Sequence, residues 1–154
     1  KNDHCGNHNV MKVKDLMSTD IMCIRETTPA VQAASYMKRN NIGCLPVCDD
    51  GGFIKGILTD RDLVVRLLSR YDDAHITHVK SGDIMSMDPV TVSPGESIHN
   101  AALILAHHKI RRLPVTEASR IVGMLSIGDI ASKPVCIDEA GDILSAISFD
   151  GAIR

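Results

Sequence analysis

The sequence predicts a mixed α+β fold of the α/β class: two pseudo-symmetric strand–helix–strand–strand–helix (βαββα) repeats packed through their sheets, followed by a short C-terminal helix. Three observations carry this prediction. "DLMSTD" at 15–20 returns as "DIMSMD" at 83–88, "IGCLPV" ending at Val47 returns as "IRRLPV" ending at Val115, and "GILTDRDLV" at 56–64 returns as "GMLSIGDIA" at 123–131. The first two pairs share an offset of 68 residues, so 13–47 aligns with 81–115 without a gap, and ten of those thirty-five pairs are identical. The third pair is offset by 67, so one residue is lost between "DDGG" in the first copy and "TEAS" in the second. Surface loops tolerate such a change. Self-similarity at a fixed spacing marks supersecondary units that bury their apolar faces by stacking.

The elements follow in order. "DIMCI" and "DPVTV" are short and β-prone, and are expected to open each repeat as a strand. "TTPAVQAASYMKRNN" reads as a helix with Thr28 as N-cap, Pro29 in the first turn and Asn41 before Gly43 at its end. Ala30, Ala33, Ala34 and Met37 form its apolar face, and Ile98, Ala101, Ala102 and Leu105 repeat that spacing in the second copy. "CLPVC" and "FIKGIL" form a strand pair closed by Asp50-Gly51-Gly52, matched by "RLPVT" and "RIVGML". A second helix follows each pair. It is "DLVVRLLSR" in the first copy, while in the second "DIAS" opens one that Pro134 stops. In the C-terminal segment Ala140, Ile143, Leu144 and Ile147 share one face, which predicts a third helix docking on the module or on a partner. The expected organisation is a mobile tail at 1–10, repeat 1 at 11–69, a polar linker at 70–80, repeat 2 at 81–134 and a tail with a short helix at 135–154.

Composition narrows the function. The formal net charge is −2 and aromatics make up 3 %, with no Trp. Neither a basic footprint nor a base-stacking platform is present, so nucleic acid is not an expected partner. No apolar run approaches the roughly 20 residues of a membrane helix, and "KNDHCGNHNV" holds no apolar stretch of the signal-peptide kind. A cytoplasmic location without membrane contact is expected. The five cysteines, Cys5, Cys23, Cys44, Cys48 and Cys136, are odd in number and form no CxxC pair, which points to reduced thiols. His4, Cys5 and His8 lie close together but fall short of a closed tetrahedral metal site. Cys44 and Cys48 flank a strand, roughly 13 Å apart along it and too far for one ion. No metal is required by this reading. His107 and His108 occupy the last turn of a helix, where histidine is favourable. No nucleophile elbow, P-loop, dinucleotide fingerprint or HExxH motif is present, so an enzyme is not expected.

Two copies in register of "D-x-M-S", "A-A … I-x-x-L-P-V" and "G-x-L-[TS]-x-x-D" resemble the CBS domain, used in pairs called Bateman modules. The resemblance covers 13–132 and is similar to a stand-alone, bacterial-type CBS pair. It implies a non-catalytic regulatory sensor that binds an adenosine-containing ligand, AMP, ADP or ATP, in clefts between the repeats. On this resemblance Asp62 and Asp129, at helix starts, offer two carboxylate oxygens to the two ribose hydroxyls. Thr59 and Ser126, at strand ends, reach the ribose or an α-phosphate, with Arg61 beside them, and the helix-opening amides favour phosphate. Arg111 and Arg112 meet phosphate through their planar forks. Gly43 and Cys44, their counterparts in the first copy, leave room for an adenine edge, and Ile21, Met22, Pro89 and Val90 supply apolar walls. Because the first copy lacks the paired arginines, the Asp129 cleft is the favoured one.

Other readings stay open beside this one. A hydroxyl and an Asp before an apolar run also form an ordinary helix cap, and the four wall residues also serve as core. The alternatives are an S-adenosylmethionine-binding CBS pair or a ligand-free homodimeric interaction module that engages an unknown regulated protein. A homodimer is expected because modules of this family pair through helices. Leu63, Val64, Val65, Leu67 and Leu68 are also more apolar than a two-repeat core needs.

Overall fold

A computed structural model describes residues 10–149. Each repeat is organised around an antiparallel hairpin. In the first, β1 (Cys44–Cys48) pairs with β2 (Ile54–Thr59), with Leu45 opposite Leu58 and Pro46 opposite Ile57. In the second, β4 (Arg112–Glu117) pairs with β5 (Arg120–Ser126), with Leu113 opposite Leu125 and Pro114 opposite Met124. The doubled Leu-Pro-Val is buried throughout in both strands, as expected for strands covered on both faces. The shorter second loop is a two-residue turn in which Ala118 (φ 48°) and Ser119 (φ 64°) are both left-handed. That conformation matches the strand twist in tight hairpins. In the first loop, Gly52 takes a φ of 82°. The two hairpin tips then join: Ile54 N–H donates to Ser119 O at 3.1 Å and Ile121 N–H to Gly52 O at 3.0 Å. The Arg120 guanidinium lies 4.8 Å from the centroid of the Phe53 ring.

The predicted helices form with their predicted faces. α2 (Ala30–Asn40) buries Ala30, Ala33 and Met37, and α5 (Ile98–His108) buries Ile98, Ala101, Ala102 and Leu105. Both end on a left-handed residue, Asn41 (φ 52°) and Lys109 (φ 54°), at equivalent positions. Ser97 caps α5 by accepting the Asn100 N–H at 3.1 Å. Thr28, however, does not cap α2. Pro29 holds that position, the Ala30 N–H donates to Val79 O at 2.9 Å, and Thr28 Oγ1 accepts the Arg25 N–H at 3.0 Å. Backbone from the 70–80 segment thus satisfies the helix end, and the hydroxyl closes the turn before it.

A second correction concerns the opening strands. "DIMCI" and "DPVTV" contract to single parallel bridges, Ile24 to Val47 and Val92 to Val115. Each segment arrives from the opposite repeat and leaves at once into a turn, so it runs beside its partner for only one residue pair.

That crossing explains the doubled Asp-x-Met-Ser. α1 (Val13–Leu16) and α4 (Ser81–Ile84) open on capping boxes in which Asp15 accepts the Lys12 N–H and Asp83 the Lys80 N–H, both at 2.9 Å. The chain then crosses over. Val13 is buried in the core of the second repeat, whereas Ile84 and Met85 belong to the core of the first. β3 (Ser86–Met87) adds to β2 with Ser86 opposite Ile57, and Ser18 pairs with Met124 through two 2.9 Å bonds. Gly56 and Gly123 permit the approach: a Cβ on either would stand 2.6 Å from the sulfur of Met85 or Met17. Each repeat thereby completes the sheet edge of the other.

After β2, α3 (Asp60–Asp62) continues as a π-helical turn over Leu63–Leu68. After β5, α6 (Ile127–Ala131) ends ahead of Pro134, and α7 (Ile137–Phe149) buries Ala140 and Ile143 in the second core. This is the third helix read from the sequence.

Candidate functional site

The two strand–helix junctions are near copies. Thr59 N–H donates to Asp62 Oδ2 at 2.9 Å and Asp62 N–H to Thr59 Oγ1 at 3.2 Å. Ser126 N–H donates to Asp129 Oδ2 at 2.8 Å and Asp129 N–H to Ser126 Oγ at 3.1 Å. The first helical N–H of each junction bonds to the carbonyl ahead of the Leu-Pro-Val strand, Asp60 to Gly43 and Ile127 to Arg111, both at 3.0 Å. The ordinary capping role is therefore present in both copies, and each carboxylate commits one oxygen to it.

The second oxygen separates them. Asp62 is buried; its Oδ1 accepts from Ser86 Oγ at 3.4 Å and lies 3.7 Å from Arg66 Nε. The crossing segment thus occupies the remaining face of Asp62. Asp129 is only partly buried, and its Oδ1 has no partner among the described residues.

Between the repeats opens a cleft of about 1150 Å³. Nine of the sequence-predicted site residues line it: Gly43, Cys44, Thr59, Arg61, Pro89, Val90, Arg111, Arg112 and Ser126. Four do not. Asp62 and Asp129 stand one turn into their helices, and Ile21 and Met22 lie at the equivalent place in the first repeat, where Asn40 Nδ2 is 3.6 Å from the Met22 sulfur. Sequence reasoning missed Asp60, Asp88, Lys109, Ile110, Leu144 and Ile147, which also line the cleft. The tail pattern marked Leu144 and Ile147 as apolar, but no sequence signal tells which groove they meet.

The cleft has two characters. Pro89, Val90, Ile110, Ile127, Leu144 and Ile147 are apolar, while Arg61, Lys109, Arg111 and Arg112 outnumber the carboxylates of Asp60 and Asp88. Neither Arg111 nor Arg112 is in an ion pair among the described residues. Arg112 Nη1 approaches within 3.6 Å of where a Gly43 Cβ would stand, beside Asp60 Oδ2 at 2.7 Å. Burial pushes the Cys44 thiol up to about 11, against the pull of Arg112, so it stays neutral in the cleft. The arrangement suits a ligand with a flat apolar part, hydroxyls and an anionic end.

Among the described residues, no group of three or more His, Cys, Asp or Glu could hold a metal ion. His4, Cys5 and His8 lie outside the described residues. Also among the described residues, no helix is long and apolar enough to cross a membrane.

Two like units, each a hairpin with its helices and each lending a segment to the other, flank one shared cleft. The sequence profile of the CBS domain matches residues 13–69 and 81–135, and the chain belongs to the CBS domain family. It is 35 % identical over 136 residues to the CBS domain-containing protein YhcV of Bacillus subtilis (strain 168), covering 88 % of this chain and 94 % of that protein. A crystal structure of Hypoxic Response Protein I with two coordinated zinc ions is similar at a TM-score of 0.71 and 31 % identity, covering 79 % of this chain and 98 % of the other. A crystal structure of CBSX2 in complex with AMP is similar at a TM-score of 0.72 and 25 % identity, covering 83 % and 98 %.

Proposed function

We propose that the chain is a non-catalytic, cytoplasmic sensor that binds AMP, ADP or ATP in the cleft on the Asp129 side. One observation carries the reading: the cleft joins apolar walls, a strand-end hydroxyl and two arginines that are in no ion pair among the described residues. Ser126, on the cleft wall, and Asp129, one turn behind it, would hold the ribose. The carboxylate keeps an uncommitted oxygen for the diol, whereas that of Asp62 is engaged by Ser86 and Arg66. Arg111 and Arg112 hold the phosphate, with Arg61 and Thr59 facing them from the first repeat. Pro89, Val90 and Ile110 wall the base, and the small Gly43 and Cys44 leave room at its edge. Ile21, Met22 and Asp62, which do not line this cleft, would serve an equivalent, less equipped site of the first repeat. The AMP complex of CBSX2 supports the ligand class. No metal has a role in this reading.

The functional unit is a homodimer. Val64 and Leu68 on the π-helical turn are 58 % and 61 % exposed, with Val65 beside them, an apolar strip that a second copy would cover. Ligand occupancy would then bias how the dimer meets a regulated protein. Calorimetric titration with adenosine, AMP, ADP, ATP and S-adenosylmethionine tests the reading, with native mass spectrometry of the purified chain. Saturable nucleotide binding is expected. Binding of S-adenosylmethionine alone would replace the nucleotide, and binding of none at millimolar concentration would leave the interaction module.

A further inference from the structure

Away from the cleft, two cysteines meet on the first repeat. Ile24 N–H donates to Pro46 O and Cys48 N–H to Ile24 O, both at 2.9 Å, which sets Ile24 beside Val47 in the core. Side chains alternate along extended backbone, so Cys23, just before Ile24, and Cys48, just after Val47, turn to the opposite face of this pairing. There Cys48 is buried and Cys23 is exposed, and both are free thiols. The two thiols act on one another across this face. The Arg25 guanidinium sits over the same spot, donating to the carbonyls of Cys48 (3.3 Å) and Asp49 and lying 3.5 Å from Asp50 Oδ1. The Cys48 hydrogen bond, helped by Arg25 and opposed by partial burial, brings the Cys23 thiol down to about 7. Cys48, as donor in a buried place beside Asp49, is pushed up. The pairing thus combines an exposed nucleophilic thiol, a neighbouring thiol to resolve it and a fixed cation.

We propose that Cys23 and Cys48 are a modification site, a dithiol that hydrogen peroxide converts reversibly to an intramolecular disulfide. The Cys23 thiolate attacks one peroxide oxygen, the O–O bond breaks, and the departing hydroxide takes a proton and leaves as water. Cys23 is then a sulfenic acid. The Cys48 sulfur attacks the Cys23 sulfur, the S–S bond forms, and the sulfenic hydroxyl leaves as a second water with the Cys48 proton. Two thiols and one peroxide become one disulfide and two waters. The bond ties the segment carrying Ile21 and Met22 to the end of β1. Cys44, pushed up to about 11 by burial, stays out of this chemistry at neutral pH.

The test treats the full chain with stoichiometric hydrogen peroxide near neutral pH and maps disulfides by mass spectrometry of unreduced peptides. Fragmentation of the linked peptide distinguishes Cys48 from Cys44. The expected product is a Cys23–Cys48 link with the loss of two hydrogens, undone by dithiothreitol. In Cys48→Ser, Cys23 should stop at a sulfenic acid that dimedone traps, and iodoacetamide should label wild-type Cys23 with a rate midpoint near pH 7. The proposal is overturned by a link from Cys23 to Cys5, Cys44 or a second chain. It is equally overturned by sulfinic acid at Cys23 with Cys48 still a thiol, or by no reaction at Cys23.

Discussion

Asp129→Asn separates the two jobs of this carboxylate. Oδ2 accepts the Ser126 N–H at 2.8 Å, and an asparagine carbonyl can take that bond over. The helix cap should therefore survive, with stability within about 0.5 kcal/mol of the wild type. The other oxygen becomes an amide NH2, which donates and cannot accept from a ribose hydroxyl. A hydrogen bond to a charged acceptor is worth about 1.5–3 kcal/mol, so AMP should bind roughly 10- to 150-fold more weakly. Asp62→Asn provides the opposite control. There the same exchange disturbs Oδ1 contacts to Ser86 at 3.4 Å and Arg66 at 3.7 Å, inside a buried junction between the repeats. It should lower stability by about 1–2 kcal/mol and leave AMP affinity within a factor of three. Isothermal titration with AMP and urea unfolding of the same samples measure both quantities. Full AMP affinity in Asp129→Asn together with lost affinity in Asp62→Asn would place the ribose in the other cleft and refute the reasoning.

Arg112→Ala should weaken AMP and ATP at least tenfold and adenosine less than threefold, because only the nucleotides carry a phosphate; competition against a fluorescent nucleotide measures the ratio. Leu144→Glu puts a carboxylate on the cleft wall from a half-exposed helix position; the protein should stay folded by circular dichroism while AMP binding falls and adenosine binding changes little. Gly56→Ala brings a methyl to 2.8 Å from the Ser86 carbonyl; overpacking of this kind costs about 1–3 kcal/mol, read as a lower urea midpoint with an unchanged slope. Leu68→Glu should convert the proposed dimer to a monomer of 16.7 kDa by light scattering without loss of secondary structure. An unchanged mass would send the dimer interface elsewhere.

The repeat, its offset and the two helical faces were legible in sequence because each rests on local chemistry. Alanines at positions 33, 34, 101 and 102 keep one helical face small and apolar, and the hydroxyl–Asp spacing is short enough to close a cap on itself. Arg111, Arg112 and Ser126 stand next to motifs whose geometry is local, and all three line the cleft, whereas Asp62, Asp129, Ile21 and Met22 do not. Helix entry at Thr28 was misread because the acceptor for Ala30 comes from Val79, distant in sequence. The opening strands were misread because β propensity does not reveal that a segment arrives from the opposite repeat and stays for one pair.

What the sequence alone determined, then, is that two like units exist and where each turns. The tertiary structure decided what the units exchange. Asp62 and Asp129 occupy the same position in the repeat, yet Ser86 crosses to bond to Asp62, while Asp129 keeps an oxygen without a partner among the described residues. Likewise α7 carries Leu144 and Ile147 to the cleft only because Ala140 and Ile143 anchor it in the second core. Both outcomes depend on contacts between segments far apart in the chain, where side-chain identity sets what can pack and only the assembled backbone sets what meets.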